Sequence, residues 1–125
     1  MFQEVKSTLP ISGDDYDAEI IMQIKAAARD LTTSAEITLP GTIDITRTPV
    51  FEVDTLSNEE ELTGWTITDN STLTDELVIT AISIWCSMRI GNPPNYDNLL
   101  KAYESLKGQM RLSKTYTTYE EVTEA

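Results

Sequence analysis

The sequence has no histidine, one cysteine, and only nine lysines and arginines against 21 aspartates and glutamates. Without histidine there is no Ser–His or Cys–His nucleophile pair and no imidazole to bind a metal. A lone cysteine closes no internal disulfide. Cys86 sits inside an apolar segment, where a thiol reads as a small core hydrophobe and not as a reactive thiolate. The five glycines are scattered as Gly13, Gly41, Gly64, Gly91 and Gly108, so no loop is built to cradle phosphate. The net charge of −12 repels phosphates and argues against sequence-specific DNA binding. No window approaches the roughly 18 consecutive apolar residues of a membrane span. The segment from Met1 to Pro10 lacks the basic and apolar blocks of a signal peptide. The expectation is a soluble chain made in a cytoplasm.

What is present points to one domain. At 125 residues with 40% apolar side chains, the chain can fill one core but not two. Charge is uneven along it. Residues 1–36 hold three basic and seven acidic groups, 37–73 hold one and seven, 74–112 hold four and four, and 113–125 hold one and three. The excess acid therefore lies in the first 73 residues, and the last helical region is neutral.

The strongest pattern is Leu77 to Met110. Leu77, Val78, Ile79, Ala81, Ile82, Ile84, Trp85, Met88 and Ile90 make a helix apolar on most sides, which must be covered on most sides. Glu76, Thr80, Ser83 and Ser87 fall in one narrow sector of it. Thr72 with Asp75 resembles a capping box at its start, and Arg89 stands near its end, where a cation can meet free carbonyls. Gly91-Asn92-Pro93-Pro94 stops the helix. A second helix follows with Leu99, Tyr103, Leu106 and Met110 on one stripe. Asp97 with Lys101 and Glu104 with Lys107 are spaced for surface ion pairs. Gly108 costs about 1 kcal/mol in a helix interior and predicts fraying there.

Upstream, Ser12-Gly13-Asp14-Asp15 reads as a helix start. Ile20, Ile24, Ala27 and Leu31 then recur at helical spacing to about Leu31. Ala18, Met22 and Ala26 lie off that stripe, as tolerated surface or as a second contact face for a neighbouring subunit. Between the helices, Ile37-Thr38-Leu39 and Ile43-Asp44-Ile45-Thr46 alternate about a Pro40-Gly41 turn. Val50–Val53 and Trp65–Thr68 are candidates for two further short strands. Asn58-Glu59-Glu60-Glu61-Leu62 reads as a helical turn or a solvated loop. The tail from Ser113 has an extended Thr-Tyr pattern without a local partner, and reads as a disordered end or as an arm that adds to a neighbour's sheet edge or groove.

The expected architecture is mainly α: a small helical bundle with a long first helix, a buried central helix and a short last helix. A β-hairpin or extended Thr-rich insertion would span 37–73. Residues 1–112 form the domain and 113–125 a tail or arm. The expected core is Ile20, Ile24, Leu31, Leu77, Ile82, Trp85, Leu99, Tyr103 and Leu106. No catalytic, metal or cofactor residues emerge. Asp14-Asp15-Tyr16-Asp17 lacks the glycine and the distal glutamate of a calcium loop.

The run from Leu9 to Asp17 opening into Ile20-Ile21 and Ala27-Ala28 is followed far downstream by Glu76-Leu77-Val78-Ile79-Thr80-Ala81. A proline-containing break and a helix ending near Tyr103-Leu106 complete the pattern. Together these resemble the small head–tail connector, or adaptor, proteins of long-tailed bacteriophages. The resemblance covers 9–31 and 74–112, and the acidic Thr-rich middle departs from it. It implies a non-enzymatic virion protein, assembled in the host cytoplasm into a homo-oligomeric, usually dodecameric ring in the phage neck. Such a ring binds the portal protein, docks tail-completion or neck proteins and extends the DNA channel without specific DNA binding, cofactor or membrane. On that reading Ala18, Met22, Ala26, Tyr116 and Tyr119 are candidate subunit contacts, and 37–73 and the tail reach adjacent neck proteins. The competing readings are a small acidic protein-binding inhibitor and a non-enzymatic DNA-packaging subunit.

Overall fold

The computed structural model describes residues 1–11, 13–90, 93–113 and 116. In chain order the elements are α1 (Phe2–Ser7), α2 (Asp17–Thr33), β1 (Ile45–Val53), β2 (Glu60–Asp69), α3 (Glu76–Arg89) and α4 (Tyr96–Leu112). The central element is α3, which packs against α1, α2 and α4. Its Val78, Ala81, Ile82 and Cys86 are fully buried. Burial of this kind contributes roughly 1.5–3 kcal/mol for each large aliphatic side chain.

This is a mixed α/β domain and not the mainly α bundle expected. About 49% of the described residues are helical and 18% are in strands. Three local findings account for the difference. First, α1 was not foreseen. Phe2, Val5 and Leu9 are buried at helical spacing, and Lys6 ties the helix to the start of α2 through Asp17 at 2.7 Å. Second, the last helix is not short: α4 has 17 residues, as many as α2, and runs through Gly108 without fraying. Third, the middle segment forms a single long ribbon. Thr, Val, Ile and Trp alternate over nine and ten residues, and such side chains favour the pleated conformation.

The strands pair antiparallel, from Ile45 opposite Asp69 to Val53 opposite Glu60. The expected Pro40-Gly41 hairpin is not formed. Instead the chain at 41–44 runs beside 70–73. The Thr42 carbonyl accepts from the amides of Thr72 and Leu73 (3.0 and 3.1 Å), and the Asp44 carbonyl accepts from Asn70 (2.8 Å). Gly41 lies so close that a Cβ there would sit 2.7 Å from Leu73 Cα. The turn joining the strands is at 54–59. The Asp54 carboxylate accepts from the Leu56 amide (2.9 Å), and Asn58 adopts φ +59°, which Asn tolerates. Glu60 and Glu61 thus belong to a strand and not to a helical turn. Pro49 fits because both strands of a two-stranded ribbon are edges.

Helix ends also differ from expectation. α2 begins at Asp17 behind Tyr16, with no side-chain cap. Asp14, read as a cap, is instead 3.2 Å from Lys6 Nζ. The cap of α3 is Asp75, whose Oδ1 accepts from the Val78 amide at 3.0 Å. Thr72 is occupied with Thr42. α2 ends in a left-handed turn at Glu36 (φ +55°), with the Ile37 amide donating back to the Leu31 carbonyl at 3.2 Å.

Candidate interaction surface

The hairpin stands on the helical body by its base. Ile45 is 1% exposed and Ile67 packs partly against the core. Strand periodicity places Ile45, Arg47, Pro49, Phe51 and Val53 on one face, with Ile67 and Trp65 opposite Arg47 and Pro49. A bulge follows: Val50 faces Gly64, but Phe51 faces Leu62, leaving Thr63 as the extra residue. Its hydroxyl donates to the Val50 carbonyl at 3.2 Å. The bulge keeps Leu62 on the same face as Trp65, so the apolar row continues past it. The opposite face carries Thr46, Thr48, Thr66 and Thr68, with Val50 as an exposed apolar member.

Along that row burial fades outward. Phe51, Val53, Leu62 and Trp65 are 47–54% exposed, and Leu56 in the turn is 96% exposed. Glu52, Asp54, Glu59, Glu60 and Glu61 are all exposed around the tip. Hydrogen bonds from the Leu56 amide and the Ser57 hydroxyl hold the Asp54 carboxyl below its usual range. The single cation of the ribbon is Arg47, whose guanidinium carbon lies 3.7 Å above the Trp65 ring. Its Nε is buried and makes no hydrogen bond among the described residues. Between the hairpin base, α1 and the start of α2 lies a cleft of about 580 Å³, lined by Lys6, Asp14, Asp17, Arg47 and Trp65 among others. The bond to Asp17 raises the Lys6 ammonium above its ordinary value, burial opposes this, and Asp14 adds to the rise.

A second surface lies on α2. Its inward face carries Ile20, Ile24, Ala27 and Leu31, all with no measurable exposure. At 100° per residue, Ala18, Met22, Lys25 and Arg29 fall within about 60° of one another on the outward side. All four are exposed, Met22 to 63%. Ala26, at the margin of this stripe, is half-buried.

Of the other expected contact residues, Tyr116 is buried within its own chain. Its hydroxyl donates to the Asp75 carboxylate (2.8 and 3.0 Å), and its carbonyl accepts from the Thr38 amide. Tyr116 therefore clasps Thr38 to the cap of α3. Burial first, and then the Asp75 bond, raise its phenol above the ordinary value. Tyr119 lies outside the described residues. Of the expected core, Ile20, Ile24, Leu31, Ile82 and Tyr103 are buried, while Leu77, Trp85, Leu99 and Leu106 are partly buried against it.

Sequence reasoning missed a polar cluster joining α2, α3 and α4. The Tyr103 hydroxyl donates to Asp30 Oδ2 at 2.6 Å, and Lys107 Nζ lies 3.2 Å from the same oxygen and 3.2 Å from Ser34 Oγ. The Trp85 indole donates to Gln23 at 3.0 Å, and its ring centroid is 5.5 Å from that of Tyr103. The Arg89 guanidinium lies over the Trp85 ring, 4.3 Å from its centroid. Lys107, expected in a surface pair, is 9% exposed, and Glu104 at 3.7 Å is only its secondary partner. Spacing along one helix could not reveal a carboxylate on another. All these groups are engaged with one another, as in a structural tie. Cys86 is buried, which pushes its thiol up to about 12 and leaves it inert. Among the described residues no group of three or more acidic or cysteine side chains is placed to hold a metal ion, and no helix is long and apolar enough to cross a membrane.

No family model, no curated protein and no solved structure matches this chain.

Proposed function

We propose that this protein is a structural subunit of a phage neck. Copies assemble as a ring between portal and tail, extend the DNA channel and offer a docking surface to the next protein. The observation that carries the reading is the long hairpin with an uncovered apolar row. A two-stranded ribbon is marginal by itself, and exposed aromatic and aliphatic side chains in a row mark a contact surface. The row at Phe51, Val53, Leu62 and Trp65 extends beyond the core that anchors its base. The exposed stripe on α2 gives a second, chemically different patch, and two different patches on one chain are what a cyclic head-to-tail assembly uses. The resemblance of 9–31 and 74–112 to head–tail adaptors supplies the setting. The net charge of −12 suits a channel wall past which DNA slides.

The test is particle imaging of the protein mixed with a phage portal protein. The expected result is a closed ring coaxial with the portal. Failure to bind any portal, together with tight binding to DNA in a low-salt gel shift or to a host enzyme as a monomer, would overturn the reading in favour of a packaging subunit or an inhibitor.

A further inference from the structure

We infer that the hairpin tip of one copy docks onto the outward stripe of α2 of a second copy. The apolar row Phe51, Val53 and Leu62 would cover Ala18 and Met22, and the acidic edge would meet Lys25 and Arg29. The inference rests on the ring reading and names both sides of its contact.

Three observations select a second copy as the occupant. The first is charge. Glu60 shares the face of Val53 and Leu62, Asp54 and Glu59 flank it in the turn, and between residues 52 and 61 there is no cation. Lys25 and Arg29 stand one helical turn apart, exposed, with no side-chain ion pair among the described residues. Opposite charges placed this way steer and register a contact. The second is the apolar match. Met22 is the most exposed large apolar side chain of α2, and a flexible thioether packs readily against an irregular aromatic and aliphatic row. The third is reach. The ribbon is fixed at its base by Ile45 and Ile67, and its tip side chains remain about half exposed, so the tip does not cover its own α2. Because the two patches differ, the contact is heterologous, the kind that builds a ring when its rotation closes.

Cysteine trapping tests this directly. Leu62→Cys is placed in one batch of the full chain and Met22→Cys in another, and the two are mixed under mild oxidation. Both sites are exposed, and Cys86 is buried and unreactive, so folding is checked by thermal melting and cross-talk is small. The expected product is the mixed L62C–M22C dimer in excess over either homodimer. Adding K25E and R29E to the M22C chain lowers its yield about tenfold, and E59K with E60K on the L62C chain restores it. Predominance of the L62C homodimer would mean that hairpins stack on each other, and would overturn the inference. So would absence of the mixed dimer while wild-type protein forms rings on the portal, which leaves the ring reading intact. A mixed dimer with no ring on any portal would uphold the contact and sink the ring.

Discussion

Replacing Tyr103 by Phe removes one oxygen and keeps the ring that packs against Trp85. The lost hydroxyl donates to Asp30 at 2.6 Å, a hydrogen bond to a charged acceptor. Such bonds contribute roughly 1.5–3 kcal/mol net. Asp30 retains Lys107 and its side chain is 25% exposed, so water partly replaces the donor and the low end applies, about 1.5 kcal/mol. For a chain of this size that corresponds to a fall in Tm of about 6 °C. Asp30→Asn is costlier, about 3 kcal/mol, because Lys107 keeps only the longer contact to Glu104 as an ion pair. The two changes share one bond, so the double variant should cost about 1 kcal/mol less than their sum. Urea titration gives all three values. The same cluster sets an alkaline limit. Burial first, and the Asp30 bond second, raise the Tyr103 phenol well above its ordinary value. A raised group gives full stability below the unfolded value, about pH 10, and loses it as pH rises towards the folded value. Wild type should therefore weaken above about pH 10 more steeply than Y103F. A Y103F variant within about 0.5 kcal/mol of wild type, with an additive double variant, would refute the tie.

Three further outcomes follow from local geometry. Burial would raise the Asp69 carboxyl. It is outweighed by hydrogen bonds from the Phe2 amide (2.7 Å) and from Ser71, and by the Met1 ammonium at 3.1 Å, which hold it well below the carboxylate range. Its contribution is complete above about pH 4 and falls away as acid protonates it, so Asp69→Asn should lower Tm at neutral pH and flatten the acid limb. Gly41→Ala should cost more than about 2 kcal/mol, because φ is +150° and the new methyl would meet Leu73 backbone at 2.7 Å. Gly13→Ala, at φ +80° with open space around it, should cost only about 1 kcal/mol, and chemical denaturation of the pair separates collision from backbone strain.

The helices α2, α3 and α4 were legible in the sequence because each carries its own apolar period, and Ile20, Ile24, Leu31, Ile82 and Tyr103 are buried where that period places them. The absence of histidine and the excess of acid are likewise fixed by composition. Only tertiary structure decided the rest, because it depends on partners far along the chain. α1 is too short to be stable alone and is held by contacts to α3 and by Lys6 to Asp17. The strand register was hidden because a Thr-rich run reads the same in several pairings, and the bulge at Thr63 decides that Leu62 joins Trp65 on one face. Lys107 and Tyr116 look like surface residues in sequence. Both are buried because Asp30 and Asp75, 77 and 41 positions away, supply the charges that make burial tolerable.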